Sequence, residues 1–264
     1  MNGAEYLERL AAPPPPAADE AALRALHRAH LHAVPFENLD IHLGRRIRLG
    51  PEALFEKVVR ERRGGFCYEL NGLFGWLLEA LGFSVTRLSA RVYSSAGALG
   101  AEYDHLALRV DLPGDRPFLC DVGFGEGFLE PLPLRPGEHA EGDHAYRLSA
   151  EGGDWLYEFR RARSERWERQ YRFTLQPRRM EEFEAMCLWH QTSPESPFTR
   201  RRLCTLAVAG GRVTLSEGKL IETRGADRKT TPVEGLEAEA AALRERFGVR
   251  LPPGASWISP PSGR

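Results

Sequence analysis

The chain has 264 residues, 42% of them hydrophobic and 28% charged, with 36 basic against 37 acidic side chains and a formal charge of −1. This is an ordinary globular composition, able to bury a substantial core in one or two domains. So balanced a charge supplies no chain-wide field to attract nucleic acid or an anionic membrane. No run of about 18 apolar residues occurs, and MNGAEYLERL at the start carries charges where a secretory signal needs its apolar stretch. A cytoplasmic protein is expected. Cys67, Cys120, Cys187 and Cys204 lie far apart without a C-x-x-C pair, which argues against a zinc knuckle or a disulfide framework and for four reduced thiols.

Along the chain, Pro13 to Pro16 separate a short segment, Tyr6 to Leu10, from the next helix. Asp19 is the expected N-cap of that helix, which carries Ala22, Leu23, Leu26 and Ala29 on one stripe and runs out before Pro35. Pro51 to Arg62 is a second amphipathic helix, with Leu54, Val58 and Arg62 at helical spacing and a stop at Gly64-Gly65. Leu70, Leu73, Phe74, Leu77, Leu78 and Leu81 predict a third, ended by Gly82. From Ser84 the period changes to two: VTRLSARVY, HLALRV, FLCDVGF, YRLS, WLYEF and RQYRFTL are divided by turn residues, predicting an antiparallel barrel or strongly bent sheet. Met180 to Trp189 reverts to helix. LCTLAVA, RVTLS and KLIET then read as strands, and about Val233 to Phe247 as a final helix before a loosely attached Pro-rich tail from Pro252.

Cys67 carries the strongest chemical signal. In Arg63-Gly-Gly-Phe-Cys-Tyr-Glu-Leu-Asn71 a glycine pair delivers the thiol to the first turn of the Leu70 helix. Free backbone N–H groups and the positive dipole end favour a thiolate there and can hold an oxyanion, so position alone could lower the thiol pKa from about 8.5 toward neutrality. The competing reading is a small buried hydrophobe, the commonest state of a free cysteine.

A thiol nucleophile needs an imidazole to take its proton and a third group to fix that imidazole. His27, His30 and His32 fall near a helix C-terminus, where a polar side chain merely suits the dipole; His42, His139 and His144 sit in turns, and His190 ends a helix. His105 instead opens an alternating strand, sharing a face with Ala107 and Arg109. Asp121 lies on the next strand, alternating with Phe118, Cys120 and Val122. A hairpin centred on Gly114 puts His105 opposite Gly123 and Asp121 diagonal to it on the same face, about 7–8 Å away at the backbone. Cys120, on the other face, reads with Cys187 and Cys204 as structural. Gly123-Phe-Gly-Glu-Gly127 is a glycine-rich turn able to bring backbone donors to a phosphate or carbonyl. No metal set emerges: the nearest pair, His27 with His30, lacks the carboxylate and spacing of a zinc-protease helix.

Arg63 to Asn71, Asp104-His-Leu-Ala-Leu-Arg-Val110 and Cys120-Asp-Val-Gly-Phe-Gly125 resemble the three catalytic blocks of the arylamine N-acetyltransferases, bacterial type. Tyr6 to Leu10, Pro35-Phe-Glu-Asn-Leu39 and Cys187 to Phe198 look like further stretches of that family, so the resemblance spans Tyr6 to about Pro253. It implies an α+β, multi-domain fold with a cysteine-protease-like catalytic core: a helical bundle over 1–83 carrying Cys67, an antiparallel β-barrel over 84–190 carrying His105 and Asp121, and an interdomain segment with an α/β lid over 191–264. The implied activity, of the kind used in xenobiotic metabolism, is transfer of acetyl from acetyl-CoA to an arylamine or arylhydrazine through an acetyl-Cys67 thioester. His105 would act as base, held by Asp121, and a thiolate–imidazolium pair with the thiol depressed to about 3–4 is expected. Gly123, Phe124, Gly125 and Gly127 would approach CoA, and Phe36, Tyr68 and Phe124 would shape the acceptor pocket. Some relatives carry Thr-Gly, a CoA contact, where this chain has Ala101-Glu102. No permanently bound cofactor, nucleic acid, membrane or metal is implied, and the chain would be a monomer or homodimer. Two other readings use the same core: an amide synthase that cyclises a polyketide chain on the same triad, and a non-catalytic binding protein.

Overall fold

The structure, a computed structural model, describes residues 1–258. Its first third is helical. α1 (Gly3–Arg9) and α2 (Glu20–Ala33) flank the proline run, and Asn2 and Asp19 cap them by accepting from the Ala4 and Ala22 amides, each at 2.9 Å. A two-residue strand, β1 (Phe36–Glu37), and one turn, α3 (Leu39–His42), come next. The expected helix over 51–62 forms in part. α4 (Pro51–Phe55) passes into a π-type turn over Glu56–Arg60, and Arg62 takes φ of 53°. The wider turn buries Val58 and Val59 side by side and leaves Arg62 exposed, off the expected stripe. α5 (Cys67–Ala80) runs as its periodicity predicts, with Gly82 at φ 88° just beyond it.

The middle of the chain forms one antiparallel eight-stranded sheet. Its strands are β2 (Ser84–Val92), β3 (His105–Leu112), β4 (Arg116–Cys120), β5 (Leu132–Pro133), β6 (Gly137–Glu141), β7 (His144–Glu151), β8 (Asp154–Arg160) and β9 (Glu168–Phe173), in the order β5-β4-β3-β2-β9-β8-β7-β6. β3 pairs with β4 as Leu108↔Cys120 and Val110↔Phe118, a register centred on Gly114 as the hairpin parity predicts. One face of this hairpin, Ala107 and Leu119, joins the barrel core with Phe128, Tyr146 and Tyr157. The other, Leu106, Leu108, Val110, Phe118 and Cys120, packs in the core of the helical bundle. The hairpin is therefore the wall shared by the two cores.

After a 3-10 turn (Met180–Phe183) come α6 (Glu184–Thr192) and α7 (Pro197–Arg200). A second antiparallel sheet then forms: β10 (Leu203–Val208), β11 (Gly211–Ser216), β12 (Lys219–Arg224) and β13 (Asp227–Pro232), backed by α8 (Leu236–Phe247). Its fifth strand is β1, paired Phe36↔Thr205 and Glu37↔Cys204. Thus residues 36–37 belong to the first segment by sequence and to the C-terminal sheet by pairing. Four strands escaped the sequence reading: β1 and β5 have only two residues each, β6 is a polar edge and β13 is exposed throughout, so none shows alternation. α8 begins at Leu236, three residues past the expected start. The segment after Pro252 is docked as far as Ile258, whose amide donates to the His42 carbonyl at 2.8 Å, while the Trp257 indole donates to Glu239 at 2.8 Å. The remainder of the tail, 259–264, lies outside the described residues.

Candidate active site

The site begins at the entry to α5. Gly64 and Gly65 have no positive φ, and space rather than flexibility dictates them: a Cβ on Gly64 would overlap the Pro35 carbonyl, and one on Gly65 would lie 2.6 Å from a Glu69 carboxylate oxygen. Glu69 folds back to accept from the Phe66 amide at 3.1 Å and from Lys57 Nζ at 2.7 Å, fixing the first turn of the helix. Lys57 also meets Asp40 at 2.9 Å, and the buried Arg63 meets Glu37 at 2.8 Å and Asp40 at 3.0 Å. Three carboxylates thus surround two buried cations. Burial pushes Glu69 up to about 7 against the pull of Lys57. Burial also opposes the charge on Lys57, yet Glu69, Glu37 and Asp40 outweigh it and raise its proton affinity. The two directions conflict if the pair is taken alone. With one carboxylate in excess, Lys57 stays charged and Glu69 is the group that gives way.

Cys67 sits in the first turn of α5, His105 opens β3, and Asp121 directly follows β4. All three are buried. His105 Nε2 and Asp121 Oδ2 are 2.7 Å apart, which leaves Nδ1 as the ring nitrogen available to a reacting group. Asp121 is held from every side. Asn71, one turn beyond Cys67, donates to Asp121 Oδ1 at 2.8 Å and to the Leu106 carbonyl at 2.6 Å, and its own oxygen accepts from the Val122 amide at 2.9 Å. The Gly123 amide donates to Asp121 Oδ1 at 3.0 Å. The Asp121 amide donates to His27 Nε2 at 3.1 Å, and His27 Nδ1 donates to the Leu129 carbonyl at 2.8 Å. Burial pushes the Asp121 carboxyl up, but the charge and hydrogen bond of His105, followed by the bonds from Asn71 and Gly123, outweigh it and hold the carboxyl below its ordinary value.

The thiol behaves otherwise than its helix position predicts. Burial pushes Cys67 well above the ordinary thiol value, and the Leu106 amide offsets this only in part, with Cys187, Asp104 and Asp121 adding to the rise. Burial therefore disfavours an isolated thiolate at this position.

Cys67 and His105 open onto a cavity of about 420 Å3 that all three parts of the chain line. Phe36, Phe124 and Phe198 give it aromatic walls; Thr205, Arg212 and Thr214 come from the C-terminal sheet. Gly123 and Gly125 line it too, and a Cβ on Gly123 would lie 2.8 Å from Cys67 Cα and 2.7 Å from Asn71 Nδ2. This glycine permits close approach of the Asp121 loop to α5.

A family model described as N-acetyltransferase matches residues 19–256. The pineal gland arylamine N-acetyltransferase isozyme NAT-3 of Gallus gallus is 34% identical over 257 residues, covering 88% of each chain. The arylamine N-acetyltransferase / N-hydroxyarylamine O-acetyltransferase of Salmonella typhimurium is 39% identical over 214 residues, covering 80% of this chain and 75% of that protein. The chain belongs to the arylamine N-acetyltransferase family.

It is an acetyltransferase by membership, and its fold is the family's α+β fold. The solved Salmonella typhimurium arylamine N-acetyltransferase superposes with a TM-score of 0.88 at 33% identity, over 97% of this chain and 94% of that one. The Mycobacterium marinum enzyme, solved in complex with CoA, superposes at 0.87 and 31% identity, over 94% and 93%. Among the described residues no helix is long and apolar enough to cross a membrane.

Within this family member, the sequence-derived candidates separate. Cys67, His105, Phe36, Phe124, Gly123 and Gly125 line the cavity, with Asp121 behind His105. Gly127 and Tyr68 are not in its lining. The Gly127 carbonyl accepts from the Tyr146 hydroxyl at 3.2 Å. Tyr68 is fully buried, and its hydroxyl reaches the Tyr103 and Asp104 carbonyls at 2.7 and 3.1 Å, so it braces the chain just before His105. Glu102 accepts from the Ser89 hydroxyl at 2.8 Å. His27, Asn71 and His190 were not singled out from sequence. Their partners lie on other strands and loops, and His190, which lines the cavity, meets Asp104 at 3.0 Å. Both nitrogens of His27 are used by main-chain groups, which removes it from a metal pair with His30.

Proposed function

We propose that this protein transfers acetyl from acetyl-CoA to the nitrogen of an arylamine or arylhydrazine by double displacement through an acetyl-Cys67 thioester. The observation that carries the reading is the convergence of Cys67 and His105 on one aromatic cavity, with His105 Nε2 locked 2.7 Å from Asp121 so that Nδ1 is left for the chemistry. As Cys67 attacks the thioester carbonyl, its proton passes to His105. The new carbon–sulfur bond forms, the bond to CoA breaks, and His105 returns the proton to the departing CoA sulfur. The amine then attacks the acetyl carbon, a nitrogen–carbon bond replaces the bond to Cys67, and the amine proton travels through His105 back to the thiol. Asp121 stabilises the imidazolium in both halves. In this reading the free backbone donors of the first turn of α5 receive the charge that builds on the carbonyl oxygen. Covalent capture lets one cavity serve both substrates in turn.

The test is intact-mass measurement after exposure to acetyl-CoA alone, followed by an aromatic hydrazine. One acetyl adduct, lost on adding the hydrazine and absent from Cys67→Ala, is expected, with turnover of the variant reduced by about 10⁴-fold or more. No adduct with free CoA, or one that survives Cys67→Ala, overturns the proposal.

A further inference from the structure

Cys67 has a second carboxylate near it, and His105 does not serve that one. Asp104, the residue before β3, lines the same cavity as Cys67, and its negative charge, like that of Asp121, works against a thiolate. Asp121 faces His105 at 2.7 Å. Asp104 Oδ1 instead faces His190 Nε2 at 3.0 Å, and its Oδ2 accepts from the Val92 amide at 3.3 Å. Among the described residues no lysine or arginine pairs with Asp104, so His190, in the last turn of α6, is the one cation within its reach. The other charges lining the cavity are engaged elsewhere, Arg212 with Thr205 Oγ1 at 3.3 Å and Glu126 with Arg161 at 2.8 Å.

The hydrogen bonds of His190 are those of an imidazolium. The Ser196 hydroxyl donates to the His190 carbonyl at 3.0 Å and accepts from the Phe198 amide at 3.2 Å, so toward His190 Nδ1, 3.2 Å away, its oxygen offers a lone pair. Nε2 faces a carboxylate, which is also an acceptor. Both ring nitrogens thus donate, and neither is left for a reacting group, in contrast to Nδ1 of His105. The buried ring's aromatic neighbours bring no second charge. They are Tyr68 of α5, whose hydroxyl burial keeps protonated, Trp189 of α6 and Phe198 of α7, with ring centroids 6.1, 5.0 and 5.1 Å away. Beside Cys67, burial pushes the Cys187 thiol up to about 12 and keeps it neutral, leaving Asp104 and Asp121 as the charges that oppose the thiolate.

Two like charges close together in a buried site destabilise each other, and a cation in contact with one of them relieves both. We propose that His190 is a positioning residue for the acetyl transfer, an imidazolium that neutralises Asp104 so that Cys67 ionises beside it. The inference rests on the reading of Cys67 as the nucleophile. It gives each carboxylate near the thiol its own imidazole, His105 for proton transfer and His190 for charge alone.

The rate of Cys67 alkylation by iodoacetamide, read by intact mass against pH with Cys67→Ala as the blank, reports the thiolate without any use of acetyl-CoA. In His190→Gln the midpoint of that profile should move up by about one pH unit or more, so that alkylation below the midpoint slows about tenfold. Asp104→Asn/His190→Gln should return the midpoint to the wild-type value, because charge and counter-charge leave together, a rescue that a merely structural role does not predict. The pH profile of kcat/KM for acetyl-CoA should shift and recover in parallel. An unchanged midpoint in His190→Gln, or a double variant displaced as far as the single one, overturns the proposal. The wild type supplies a measurement that needs no variant to fold: in nitrogen-15 spectra at neutral pH, the histidine whose ring lies against Trp189 and Phe198 should have both ring nitrogens protonated, and a singly protonated ring there overturns the proposal. If the alkylation profiles behave as expected while acetyl-CoA leaves no adduct on the wild type, the acetyl-transfer reading has failed and the role of His190 toward the thiol stands.

Discussion

Asn71 links α5, which carries Cys67, to the strand ends that carry His105 and Asp121. Its amide satisfies Asp121, the Leu106 carbonyl and the Val122 amide in a buried setting, so each bond is short and none has water as a substitute. Removing it takes that partner from the buried Leu106 carbonyl and Val122 amide, at about 1–3 kcal/mol for each such group if nothing relaxes, and leaves Asp121 Oδ1 with the Gly123 amide alone. Asn71→Ala is expected to lower kcat/KM by about 10²-fold and to destabilise the fold by at least about 2 kcal/mol, read from steady-state rates and denaturant melts. Wild-type rates in a folded Asn71→Ala would show that Asp121 is positioned without it.

At the scale of the element, the geometry of α5 depends on Glu69, and Glu69 titrates. Its folded pKa of about 7 lies above the ordinary 4.5. Between those values the native state binds a proton that the unfolded chain has released, so this group makes stability fall as pH rises from 4.5 to about 7. The slope it contributes is at most about 1.4 kcal/mol per pH unit. Glu69→Gln, which keeps an acceptor for the Phe66 amide, is expected to remove that downward slope in melts across this range. It should also reduce the rate of Cys67 acetylation, because Lys57 loses a partner and the first turn of α5 loosens. An unchanged pH profile of stability would show that Glu69 does not titrate there.

For the whole molecule, the buried histidines impose a slope of the opposite sign. Burial lowers His27 from 6.5 to about 4, the Leu129 carbonyl and Asp121 opposing, and lowers His30 well below 6.5, with His27 and Arg9 adding to the fall. Below 6.5 the unfolded chain takes up protons that the native state refuses, so their contribution is complete above pH 6.5 and is lost as pH drops through that range. Neither ring nitrogen of His30 has a hydrogen-bond partner among the described residues. His30→Leu is therefore expected to flatten the acid limb and to raise stability near pH 5 by about 1 kcal/mol or more, measured by denaturant unfolding from about pH 4.5 to 7.5. A steeper acid limb in that variant would contradict the burial of a neutral imidazole. The same scale holds the tie between bundle and lid. Asn38, directly after β1, accepts from the Leu203 amide at 2.8 Å and donates to the Phe198 and Arg201 carbonyls at 2.9 and 2.7 Å, so the start of the C-terminal sheet is anchored to the segment that follows α2.

Local periodicity determined α2, α5 and the β3–β4 register, because each depends on residues a few positions apart. Hairpin parity alone placed His105 and Asp121 on one face. The sequence also brought out Cys67, whose helix position favours a thiolate, whereas burial, which depends on atoms contributed by the whole fold, pushes the thiol the other way. Beyond local reach lay the π turn, the polar strands β6 and β13, the pairing of β1 with β10, and the partners of His27, Asn71 and His190. Arg212 was invisible for the same reason. One arginine in a polar strand comes to line the cavity of Cys67 and His105 only when the helices, the eight-stranded sheet and the C-terminal sheet meet there.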